Sequence, residues 1–142
     1  MTHTAQLNPL AQRVWVRLLA AHPTWQAHFG ENDGDLEVAI PAPAGSKAGH
    51  LVIFTDQGEH LWVRYAPPCM CYALDNENEM LSIIDQLLAD QAVFVVIMNG
   101  NECVETTLVK PGVQPNLQAG QVAHLVSWLG THDQNIPGPS RL

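Results

Sequence analysis

Residues 51–66 read Leu-Val-Ile-Phe-Thr-Asp-Gln-Gly-Glu-His-Leu-Trp-Val-Arg-Tyr-Ala, and this stretch decides the fold class. Two runs rich in aliphatic, β-branched and aromatic residues, 51–55 and 61–66, flank the polar segment Asp56-Gln57-Gly58-Glu59. That is the pattern of a β-hairpin, whose tight turn draws on residues that tolerate positive φ. In the second arm Leu61, Val63 and Tyr65 share one face, while Trp62 and Arg64 take the other, because strand side chains alternate. With the trio facing a core, Trp62 stands on the outer face, either open or beneath a covering helix.

Working outward, Leu36, Val38 and Ile40 alternate with Glu37 and Ala39, which suggests a half-buried strand ahead of the hairpin. Residues 30–35 before it read as a polar turn. Further upstream, residues 9–21 carry Leu10, Val14 and Leu18 at helical spacing. Asn8 is placed to cap this helix, Pro9 suits its first turn, and the His22-Pro23 pair ends it. Downstream, Pro67-Pro68 breaks the sheet and a loop runs through Cys69-Met70-Cys71. Asn76 and Glu79 then have capping-box spacing, and Met80, Ile83, Ile84, Leu87 and Leu88 form an apolar helical stripe. Residues 93–98 read as a strand buried on both faces, Asn99-Gly100 as a turn, and 103–109 as the returning strand. Val122, Leu125, Val126 and Leu129 suggest a third helix stopped by Gly130, followed by a flexible tail over 131–142. The order is helix-βββ-helix-ββ-helix. The expectation is a single α+β domain, ordered over about 8–130, with a mostly antiparallel five-stranded sheet packed by helices. A sheet face left open would be completed by a partner or by a second copy in a homodimer.

Composition narrows the function. The chain has 142 residues, of which 14% are charged, against roughly 25% in typical soluble domains. Fourteen acids face six Lys or Arg, a formal net charge of −8. That argues against a nucleic-acid binder, which needs cations to displace counterions, and against attachment to an anionic membrane. The N-terminal residues 1–8 lack a basic region and an apolar run, so no signal peptide is expected. The longest aliphatic run, 92–98, has seven residues, where a membrane span needs about 20. Three cysteines are an odd number, which fits reduced thiols in a cytoplasmic protein better than a disulfide framework.

Catalytic patterns are missing. There is neither a phosphate-cradling glycine loop nor a Gly-x-Ser-x-Gly elbow, so no cofactor and no enzymatic activity are expected. Cys69-x-Cys71 with Cys103 and one of His50, His60 or His124 could hold a soft metal, as a small metal-binding protein or enzyme would. Only one residue separates the paired thiols, however, where zinc modules use two to four, and small buried residues are the plainer reading. Glu31, Asp33, Asp35 and Glu37 alternate like calcium ligands, yet the twelfth position from Asp33 is Ala44, so a solvated acidic turn fits better. Asp85 and Asp90 read as exposed residues beside the second helix.

The strongest functional signal is the distribution of charge. Residues 65–109 hold Asp75, Glu77, Glu79, Asp85, Asp90, Glu102 and Glu105 and no Lys or Arg. Such a region can steer a basic partner. The segments Gly-Glu-His-Leu-Trp-Val-Arg-Tyr-Ala-Pro-Pro (58–68), 75–90, 93–98 and Glu105-Thr-Thr-Leu108 together resemble bacterial immunity proteins that neutralise polymorphic or contact-dependent toxins. The element order is also similar to that of type III secretion chaperones, which are acidic dimers. The first resemblance implies a non-enzymatic inhibitor that occludes a basic toxin, the second a chaperone for an effector segment. Neither supplies site residues. The charge pattern and the outer-face aromatic nominate Trp62, Glu77, Glu79, Glu102 and Glu105 for partner binding.

Overall fold

A computed structural model describes residues 6–140. Residues 1–5, on which the N-terminal reading partly rests, and Arg141 and Leu142 of the tail lie outside the described residues. Helix α1 spans Pro9–Ala21, as its cap and stop signals require. The Asn8 side chain accepts a hydrogen bond from the Ala11 N–H at 2.9 Å, satisfying one of the orphan donors of the first turn. A 3-10 turn over Pro23–His28 leads into the first sheet.

That sheet is an antiparallel meander of β1 (Phe29–Asn32), β2 (Asp35–Pro41), β3 (His50–Asp56), β4 (His60–Tyr65) and β5 (Cys71–Leu74), adjacent in that order. The hairpin read from residues 51–66 is β3 and β4, paired with Leu51 opposite Tyr65 and Phe54 opposite Trp62. After a 3-10 turn at Glu77–Glu79, capped by the Asn76 side chain, α2 runs over Met80–Leu88. A second antiparallel sheet follows, made of β6 (Val93–Asn99), β7 (Glu102–Val109), β8 (Gln121–Val126) and β9 (Gln134–Pro137) in the order β7-β6-β8-β9.

The α+β class is as expected, but there are two sheets of five and four strands. The third helix expected around Val122, Leu125 and Val126 is strand β8. Both faces of β8 meet apolar surface, so its hydrophobic residues lose the period of two and imitate helical spacing. Leu129 lies beyond it and is exposed. The segment expected to be a flexible tail contains β9, which pairs with β8. Gly138 lets the chain leave this pairing tightly: a Cβ there would sit 2.6 Å from the Gln118 carbonyl oxygen. The polar turn expected over 30–35 contracts to Asp33-Gly34, both at positive φ, and its flanks extend β1 and β2.

One core joins the layers. Val14, Trp15 and Leu18 of α1, the inner face of the first sheet, Met80, Ile84 and Leu87 of α2, and Phe94 and Val96 of β6 form a single buried cluster. Each such side chain contributes about 1.5–3 kcal/mol by leaving water. A smaller cluster of Val93, Val95, Ile97, Ala123 and Leu125 occupies the other face of the second sheet, with Leu117 and Ile136 packed on it. Among the described residues no helix is long and apolar enough to cross a membrane.

Candidate protein-docking face

Alternation along the first sheet sends Leu36, Val38, Leu51, Ile53, Leu61, Val63 and Tyr65 into the core. The opposite set, Glu37, Val52, Phe54, Trp62 and Arg64, lies on the outer face. Both helices supply core residues on the inner side, and among the described residues neither hydrophobic cluster includes Trp62. Trp62 therefore stands on the outer face without a covering helix. It is half-buried and its ring lies parallel to that of Phe54, its cross-strand neighbour, at 6.3 Å between centroids. Arg64 reaches over Phe54, with Cζ 6.0 Å from the ring centroid, and its Nη2 is 4.0 Å from Glu37 Oε1. Val52 on the same face is buried. The face is thus an aromatic and aliphatic strip with one cation laid across it.

The end of this face is built by Asp35. Its carboxylate accepts hydrogen bonds from Asn8 Nδ2 (2.8 Å), Thr55 Oγ1 (2.9 Å), Gln57 N (2.8 Å) and Gly58 N (3.0 Å). Burial opposes its charge, but the bonds from Asn8, Gly58, Thr55 and Gln57 outweigh that and hold its pKa below the ordinary value. Asp35 therefore ties the cap of α1 to the β3–β4 turn and serves as a structural anchor. Beside it a notch of about 190 Å³ opens between Asn32, Glu37, Phe54 and Asp56.

The acidic residues expected to act together are dispersed. Glu77 is bound by Arg13 of α1, with Nε to Oε1 at 3.0 Å, and Arg17 donates to Asn78 Oδ1 at 3.0 Å. The interval that lacks cations in sequence thus receives two of them in space. Asp90 is also unlike its expectation. It is buried, adopts φ +56, and accepts the Leu129 N–H at 2.7 Å. Glu79, Glu102 and Glu105 are exposed, and their carboxylates have no hydrogen-bond or ion-pair partner among the described residues. Glu102 and Glu105 lie on β7, an edge strand of the second sheet, opposite Asn99 and Ile97. Glu79 lies at the start of α2, and Trp62 on the first sheet.

The cysteines correct the reduced-thiol expectation. Cys69 and Cys103 form a disulfide, with Cα atoms 6.5 Å apart, and Cys71 is the free thiol. An odd count leaves one cysteine over without keeping the other two apart. The bond also removes Cys69 and Cys103 as thiolate partners of Cys71, which sits opposite Arg64 on the first sheet. Burial pushes the Cys71 thiol pKa up, and Arg64 only partly offsets this. Among the described residues no three His, Cys, Asp or Glu side chains are grouped to hold a metal. Phe54 is the site residue that sequence reading passed over. Its signal lay in the hairpin itself, since pairing across the 56–59 turn sets Phe54 opposite Trp62. No family model, curated protein or solved structure matches the chain.

Proposed function

We propose that this chain is a non-enzymatic protein-binding domain that docks a basic protein through the outer face of its first sheet, in the manner of an immunity-type inhibitor occluding a toxin. The observation that carries the reading is the parallel Phe54–Trp62 pair on a sheet face with no covering helix among the described residues. Trp62 and Arg64 on this face are of the residue types enriched among the side chains that dominate binding energy at interfaces. The net charge of −8, with Glu102 and Glu105 unpaired among the described residues, supplies the field that draws a cationic partner. The test identifies the genes that flank this chain's own and co-expresses the chain with each neighbouring product. Growth arrest relieved by the wild-type chain, and not by a folded Phe54→Ala/Trp62→Ala variant, supports the reading. Full protection by that variant, or no complex with any neighbouring product, overturns it.

A further inference from the structure

The geometry points to an arginine side chain of the partner as the occupant of the notch beside Phe54, an inference that rests on the docking face proposed above. Three observations converge on a guanidinium. The notch holds about 190 Å³, and the residues that line it include the aromatic Phe54 and the acidic Glu37 and Asp56. Asp35 also lines it, with its carboxylate engaged by Asn8, Thr55, Gln57 and Gly58. Glu37 and Asp56 are exposed and keep acceptor capacity. Arg64 and Glu37 form an ion pair at 4.0 Å, beyond hydrogen-bond length, so the Glu37 oxygens keep their hydrogen-bond capacity.

The chain's own Arg64 shows the chemistry in place. A guanidinium already lies 6.0 Å from the Phe54 centroid while facing the Glu37 carboxylate. An incoming arginine would pair with Glu37 and Asp56 and lay its planar guanidinium against Phe54, which lines the notch. Arginine suits this better than lysine because its planar, weakly hydrated fork both stacks on aromatics and pairs in two-pronged fashion with carboxylates. The same step explains how an acidic protein with an apolar face would choose one basic surface over another. Charge alone attracts any cation, while the ring and the two carboxylates select a planar one.

The experiment titrates the isotopically labelled full chain with acetyl-Gly-Arg-Gly-amide and with its lysine and citrulline counterparts, following backbone amide resonances. The arginine peptide is expected to give saturable shifts centred on Glu37, Phe54 and Asp56. The lysine peptide should bind several-fold more weakly, and the uncharged citrulline peptide should give no response. Glu37→Gln/Asp56→Asn, checked for an unchanged thermal midpoint, is expected to abolish the arginine response. Equal shifts from lysine, shifts spread over the whole acidic surface, persistence in the double variant, or no saturable response each overturn the assignment. Protection that depends on Trp62 without any arginine response rejects the notch and leaves the docking face standing. An arginine response without protection does the reverse.

Discussion

Two polar side chains, the partly buried Asp35 and the buried Tyr65, show how unequally single residues hold this molecule. Asp35 takes four hydrogen bonds and keeps a depressed pKa. A carboxylate with a folded pKa below its unfolded value stabilises the fold fully above the ordinary value of about 3.9. That contribution is lost as pH falls through the folded pKa. Asp35→Asn removes the charge and one acceptor, so at neutral pH it should cost about 1–3 kcal/mol. The gap between variant and wild type should narrow in acid, and urea denaturation at several pH values measures it. Tyr65 is the opposite case. It is 1% exposed, packs against Phe94 and Trp128, and its hydroxyl has no hydrogen-bond partner among the described residues. Burial raises its pKa well above the ordinary phenol value, and the Asp90 and Asp133 carboxylates push it further. The ring supplies the packing and the hydroxyl only a desolvation cost. Tyr65→Phe should therefore leave stability within about 1 kcal/mol of the wild type, or raise it. A loss of several kcal/mol would show that the hydroxyl has a partner.

At the scale of elements, the Cys69–Cys103 bond joins the loop after β4 to the edge strand β7 across 34 residues of sequence. The same loop is also held by Thr106 Oγ1 donating to the Cys69 carbonyl at 2.6 Å and by the Tyr65 N–H to the Met70 carbonyl at 2.9 Å. Closing a loop of that length restricts the unfolded chain by about 3–4 kcal/mol. Cys69→Ser/Cys103→Ser should thus lower the thermal midpoint by about 10 °C while the native sheets persist. A thiol reagent should titrate one cysteine in the denatured oxidised chain and three after reduction. This bond was hidden in the sequence because its partners meet only when the two sheets pack. The elements that could be read were those with local signals. Helix α1 is bounded by Asn8-Pro9 and Pro23, and the 51–66 hairpin by its alternation. Strands β1 and β5 have four residues each and sit at the sheet edges, so pairing with β2 and β4 imposes them. Strand β8 gave a false helical period because both its faces are covered. Trp62 was placed by alternation, whereas the Glu77–Arg13 pair joins residues 64 apart and left no local trace.

For the molecule as a whole, the division between an aromatic face and a negative field implies that binding has two separable parts. Three of the six Lys and Arg side chains sit beside acceptors of the chain itself: Arg13 at Glu77, Arg17 at Asn78 and Arg64 at Glu37. Such exposed pairs add little to stability, about 0–1 kcal/mol each, but they thin the field locally around α1 and α2. The unpaired carboxylates of Glu102 and Glu105 on the β7 edge keep their full reach, limited by a Debye length of about 8 Å at physiological salt. Long-range charge acts on encounter, while desolvated aromatic contact acts on residence. Glu102→Lys/Glu105→Lys should therefore slow association with the basic partner several-fold and flatten its salt dependence, with the dissociation rate nearly unchanged. Trp62→Ala should leave association and its salt slope in place and speed dissociation by tenfold or more. Surface-immobilised kinetics at several ionic strengths reads both rates for both variants. If charge reversal leaves the salt slope unchanged, the β7 edge has no part in steering. If Trp62→Ala acts on association instead, the outer face is not where the complex is held.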